Sequence, residues 1–191
     1  MNHGIVIRSF MPHRHKCAIF DHQLGMIEAT FFKQPLMYRV YHGMALEYST
    51  FADGTRHRLD DIRIVAVPQA WVAQDVLFFH HLLEVVWFFV LYGQQQEALF
   101  ELLQVLYQQP FWDEDELFKR WFLCRIFTVI GVYPSDYDSF DPNFFGTISL
   151  PYGALAKICR NDTLITRELA RWLRGCVATH PQSDLFKTIV W

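Results

Sequence analysis

The stretch "HRHKCAIFDHQLGMIEATFF", His13 to Phe32, decides how the chain begins. Side chains alternate across a β-strand, so His13, His15 and Cys17 share one face there, while Arg14, Lys16, Ala18 and Phe20 take the other. "KCAIFD" (Lys16 to Asp21) then enters "DHQLG", a turn closed by Gly25, and "MIEATFF" (Met26 to Phe32) returns as the antiparallel partner. The first face could be a metal site or one wall of a binding sheet. Three ligands are geometrically possible, with a fourth drawn from His3 or His22, but His-x-His-x-Cys is not a common structural zinc spacing. A strand that is basic at its start and apolar in its middle on both sides suits a barrel wall with a polar rim. The expectation is a hairpin with no metal and no other cofactor.

The flanking segments extend the pattern. "GIVIRSF" (Gly4 to Phe10) is short and β-branched, and Pro12 ends it. "MALEYSTF" (Met44 to Phe51) leads to an Asp53-Gly54 turn, and "IRIVAV" (Ile62 to Val67) runs up to Pro68. Five short strands in so few residues match the count and size of a small closed barrel such as the OB-fold, with other small barrels left open. Beyond Pro68 the period becomes helical. Trp71 to Tyr92 is predicted as one long helix ending near Gly93, and Gln94 to Gln109 as a second with 3.6-type apolar spacing. "DEDELFKRWFLCRIFTVIG" is predicted as a third, with Asp113 as N-cap and Gly131 at its end. Pro134 to Leu150 shows no helical period and is expected to be a loop. "PYGALAKICR" and "TLITRELARWLRGCVATH" give a short helix and a longer amphipathic one, stopped at His180-Pro181. The predicted class is α+β: a five-stranded OB-fold β-barrel over residues 1–67, then an all-α helical domain over residues 68–191.

Composition narrows the function classes. The chain has 191 residues, 52% of them hydrophobic, with 18 Phe, eight Tyr and six Trp, so aromatic area must fill cores or form contact surfaces. Four cysteines without a CxxC pair give neither a thiolate zinc module nor a disulfide framework, which fits a reducing cytoplasm. The most apolar run, Val76 to Tyr92, is interrupted by His80, His81 and Glu84, and is expected to be a buried helix with no role in a membrane; no signal peptide is expected at Met1. Net charge is −3, distributed as +2 over residues 1–67, −8 over 68–150 and +3 over 151–191. A nucleic-acid footprint therefore belongs on the first or last part. There is no Gly-rich phosphate loop, GxSxG or HExxH, and Asp60-Asp61 have nothing to polarise, so no enzyme is expected.

Several local strings resemble the bacterial recombination mediator RecO family. "GIVIRSF", then "IFDHQLG" continuing into "MIEATFFK", resembles that family's opening OB-fold; "LFKRWFLCRIFTVIGVYP" resembles its helix ending before a Pro-bearing segment; "ARWLRGCVATHPQSDLF" resembles its last helix and following turn. The chain departs from the family pattern where a basic run is usual, since "FFKQPLMYR" keeps only Lys33 and Arg39. Gln182-Ser183-Asp184 stands where Lys-Ser-Arg is common, and the family's zinc insert is reduced to a short loop. The resemblance implies a non-enzymatic DNA repair and recombination protein. Its barrel would contact single-stranded DNA, weakly here because charge has been lost. Its helical domain would dock a RecR-like mediator and the acidic, Phe-ended tail of single-stranded DNA-binding protein, promoting strand annealing and recombinase loading.

OB-folds bind single strands by stacking bases on rings within a positive groove. The candidates for such a surface are Arg8, Arg14, Lys16, Lys33, Tyr38, Arg39, Arg56, His57, Arg58 and Arg63; the alternative is that these are solvated surface charges. Phe10, Phe20, Phe31 and Phe32 are assigned to the core. An acidic peptide tail needs a cation and an apolar pocket. Lys119, Arg120 and Arg125 are candidates for that cation, as are Arg167, Arg171 and Arg174, which share one helix face, with Trp172 assigned to core packing. Two further readings stay open: an interaction module of the same ancestry that has lost DNA binding, and a metal-dependent enzyme built on the His-rich strand.

Overall fold

The computed structural model describes residues 1–10, 16–31, 40–54, 56–108, 116–159, 163–181 and 183–185. They fall into two compact units, Met1–Phe111 and Trp112–Trp191.

The first unit holds strands β1 (Asn2–Ser9), β2 (Lys16–Asp21), β3 (Gly25–Phe31), β4 (Ala45–Asp53) and β5 (Arg56–Ala66), closed into a barrel in the order β1-β2-β3-β5-β4. The pairings are antiparallel except β3 with β5, the arrangement of an OB-fold-like barrel. Inward residues alternate along the strands: Val6, Cys17, Ile19, Ile27, Ala29, Leu46, Tyr48, Leu59 and Ile62 form the interior. The β2–β3 turn works as its sequence suggests. Asp21 Oδ1 accepts from the backbone N–H of Gln23 at 2.7 Å and of Leu24 at 2.8 Å, and Gly25 takes φ 71°, which a side chain would strain. Strand β5 starts at Arg56, six residues before the sequence pattern suggests, because register with β4 extends to the Asp53–Arg56 pair beside the turn.

The same unit contains helices α1 (Gln69–Gln74), α2 (Val76–Phe89) and α3 (Glu97–Gln108). The single helix expected from Trp71 to Tyr92 is thus two. Asp75 divides it by capping α2, its Oδ1 accepting from Phe78 N–H at 2.8 Å. On the outer side of the barrel wall, Ile5, Ala18, Phe20 and Met26 are each at most 2% exposed, and Phe20 meets Phe100 of α3 at 5.9 Å between centroids. Phe20 is therefore core, as expected, but under the helices and outside the barrel interior. Gly43 lies so close to the Phe79 ring of α2 that a Cβ there would overlap it, and Tyr107 of α3 donates to the Gly43 carbonyl.

The second unit has helices α4 (Glu116–Val129), α5 (Pro142–Ser149), α6 (Tyr152–Cys159) and α7 (Thr163–Ala178). Helix α5 occupies the segment expected to be a loop. Asp141 caps it by accepting from Asn143 N–H at 2.8 Å, and Pro142 takes its first position, where no amide donor is needed. Eight residues are too few to show a period, so the Asp141-Pro142 start is the local signal. The proposed N-cap Asp113 lies outside the described residues. Trp172 of α7 is fully buried and meets Tyr133, Tyr137, Phe140, Phe144 and Phe145 at 5.1–6.2 Å, the core position expected of it.

Candidate nucleic-acid interface

One row of outward side chains crosses four strands of the barrel. Lys16 pairs with Thr30, Thr30 with Arg58, and Arg58 with Phe51. Paired residues on neighbouring strands share a face, and the inward set Cys17, Ala29 and Leu59 fixes this row as the outer one. In the next row Arg8 stands opposite Ala18 and Ala18 opposite Glu28, and Arg56 Nε lies 3.6 Å from Glu28 Oε2. Arg8, Lys16, Arg56 and Arg58 therefore share one wall.

Arg8 reaches it through a bulge. Val6 is inward, and strict alternation would turn Arg8 inward as well. The β1–β2 register shifts between Val6 and Arg8, so that Val6 pairs with Ile19 but Arg8 with Ala18, and the extra residue re-aims the guanidinium. Its central carbon sits 5.1 Å from the Trp87 ring centroid and 5.8 Å from that of Phe10, within cation–π range. Trp87 in turn meets Phe10 at 6.1 Å and Tyr92 at 6.0 Å, both edge-on. Tyr92 is pinned to β3 by a bridge to Met26 and by Gly93 N–H donating to the Met26 carbonyl at 2.9 Å. Burial, together with the Glu28 charge, pushes the Tyr92 hydroxyl up to about 12 against the opposing pull of Arg8, which keeps it a donor near neutral pH. Tyr92 is 51% and Phe51 60% exposed, so both offer ring faces to solvent.

Two depressions flank Glu28. One, of about 330 Å³, is lined by Phe10, Lys16, Thr30 and Arg56 among others; the second, of about 450 Å³, by Ile27, His57, Tyr92 and Gly93 among others. Cations, exposed rings and hollows at base scale are what sequence-tolerant single-strand binding uses. The rings Trp87 and Tyr92 were not among the sequence candidates. Both lie in an apolar run that reads as a buried helix, and only the packing of that run on β1 and β3 leaves Trp87 half-buried beside Arg8 and Tyr92 exposed.

The other candidates divide. Arg63 lies about 23 Å along β5 from Arg56 by strand rise, opposite Glu47, with 3.8 Å between the charged groups, and His3 approaches the same carboxylate at 3.7 Å. It belongs to another part of the barrel surface. His57 borders the second depression, with Nδ1 3.4 Å from Thr50 Oγ. Arg14, Lys33, Tyr38 and Arg39 fall outside the described residues, as do Phe32, His13 and His15. Phe10, assigned to the core from sequence, is instead half-buried beside Arg8 and Trp87, because it lies just past the end of β1. Phe31 packs partly against the barrel interior. Cys17 is fully buried inside the barrel, and burial raises its thiol, which opposes the thiolate a metal would need. Among the described residues no group of three His, Cys, Asp or Glu could hold a metal ion, and no helix is long and apolar enough to cross a membrane.

In the second unit three of the six candidate cations, Lys119, Arg125 and Arg171, have internal partners. Lys119 Nζ donates to Glu116 at 2.9 Å. Arg125 donates to the Ser149 carbonyl at 3.0 Å while Trp121 Nε1 donates to that of Ile148 at 3.1 Å, and together they satisfy the end of α5. Arg171 pairs with Asp136 at 2.7 Å and Glu168 at 3.3 Å and lies 4.3 Å over the Phe140 ring. Arg120 is half-buried, and Arg167 and Arg174 are exposed.

No protein-family model matches the chain, and no curated protein matches it.

Proposed function

We propose that this protein binds single-stranded DNA weakly on the outer wall of its barrel and acts, without bond chemistry, as a RecO-like mediator of repair and recombination. The observation that carries this reading is the row Lys16–Thr30–Arg58–Phe51 beside the Arg8–Trp87 stack: cations for phosphates and exposed rings for bases on one wall. Four cations neutralise few phosphates. At about −0.7 per contact on single strands, the log-log salt slope is roughly −3 at most. Such binding lowers repulsion between strands without locking them, which is what annealing and handover to a recombinase require. In the same reading the helical unit receives a protein partner, either a RecR-like mediator or the acidic tail of single-stranded DNA-binding protein. Four free, buried cysteines suit a cytoplasmic protein.

The test is fluorescence anisotropy of a labelled mixed-sequence oligonucleotide across a salt series. Binding at low salt with a shallow slope is expected. Absence of binding at low salt would leave the protein an interaction module of the same ancestry.

A further inference from the structure

Glu28 is out of place on a wall that tracks phosphates. It lines both depressions, its side chain is 46% exposed, and its charge repels a DNA backbone. Its approach to Arg56 at 3.6 Å is longer than a hydrogen bond, and an ion pair this exposed contributes little to stability. A base stacked on Tyr92, however, would bring its edge to the carboxylate, because Tyr92 and Glu28 border the same hollow and the Glu28 charge is felt at the Tyr92 hydroxyl.

An ionised carboxylate only accepts hydrogen bonds. Guanine presents two adjacent donors, its ring N–H and exocyclic amino group, and cytosine presents one amino group. Thymine presents a single N–H flanked by two carbonyl oxygens, which the carboxylate repels. We propose that Glu28 is a specificity residue that makes this wall prefer guanine, and next cytosine, over thymine in single-stranded DNA. The inference rests on the reading that the wall binds single strands, and it adds base selection to what is otherwise a sequence-tolerant surface.

The experiment compares labelled oligothymidylate with the same oligomer carrying spaced guanines, titrated with wild type, Glu28→Gln and Glu28→Ala at two salt concentrations. The wild type should bind the guanine-bearing strand about tenfold more tightly, within the range of one bidentate base contact. That ratio should be the same at both salts, because phosphate contacts are common to the two strands. Glu28→Ala should bind oligothymidylate more tightly than wild type, with repulsion removed, and show no preference. Glu28→Gln, which keeps the size but not the charge, should lose most of it. Circular dichroism confirms that each variant is folded. Equal binding of both strands by wild type overturns the proposal and leaves DNA binding intact, as does a preference that survives in Glu28→Ala. Binding of neither strand overturns both.

Discussion

The Tyr48 hydroxyl donates to Asp21 Oδ2 across 2.5 Å inside the barrel, tying β4 to the end of β2. Both residues are fully buried, and Asn2 Nδ2 reaches the same oxygen at 3.2 Å while the turn amides occupy Oδ1. Each carboxylate oxygen thus has donors, which is what makes a buried acid tolerable. Burial and the neighbouring carboxylate push the tyrosine far above its ordinary value, so it stays a donor.

Tyr48→Phe should therefore lower stability by about 1–3 kcal/mol, the cost of leaving a buried acceptor short of a partner. Urea unfolding with an unchanged m-value checks it. A loss below about 0.5 kcal/mol would mean that water replaces the hydroxyl, and that the barrel is open there.

On the wall proposed to bind DNA, Arg8→Ala and Arg58→Ala should each make the log-log salt slope shallower by about 0.7, while Arg63→Ala leaves it unchanged. Arg63 is the control because it faces Glu47 and His3 away from the row. Anisotropy titrations at several salts decide. An Arg63 effect as large as that of Arg58 would place the strand elsewhere on the barrel.

His81 of α2 is 4% exposed, and burial lowers its pKa to about 4 despite the opposing charge of Glu84. The unfolded chain takes up this proton near 6.5, so the stability present above that pH is lost as pH falls from 6.5 to 4, with no further loss from this group below. The loss is on the order of 3 kcal/mol. His42 is shifted in the same direction by burial, His80 and Arg8. Chemical denaturation of wild type and His81→Leu across this window should show a gap that narrows with falling pH. Parallel curves would remove His81 as the cause.

In the second unit, Arg171→Ala should lower the melting temperature, since it releases Asp136, Glu168 and the Phe140 ring together, whereas Arg174→Ala should not. A labelled acidic, Phe-ended peptide should instead lose affinity severalfold on Arg167→Ala/Arg174→Ala, the exposed pair on α7. Unchanged peptide binding in that double variant would exclude α7 as the docking site.

The order of residues alone specifies the strands, the hairpin and the class. Alternation around Cys17 and Ile19 specifies which side of β2 faces inward, and Asp21 with Gly25 specifies the turn, because both signals are local. It also marked Lys16, Arg56 and Arg58 as candidates. Which cations share a wall depends on long-range strand pairing. The parallel pairing of β3 with β5 joins residues far apart in sequence, and no local period encodes it. The bulge after Val6 reversed the direction of Arg8, since one extra residue in a strand exchanges its faces. The rings came from α2 and the segment after it, where an apolar run looks the same whether its Trp87 packs inward or stands beside an arginine at the barrel's edge. Asp75 and Asp141 carried legible caps, but a cap outweighs a long apolar run or an irregular segment only once packing sets the direction of the next helix.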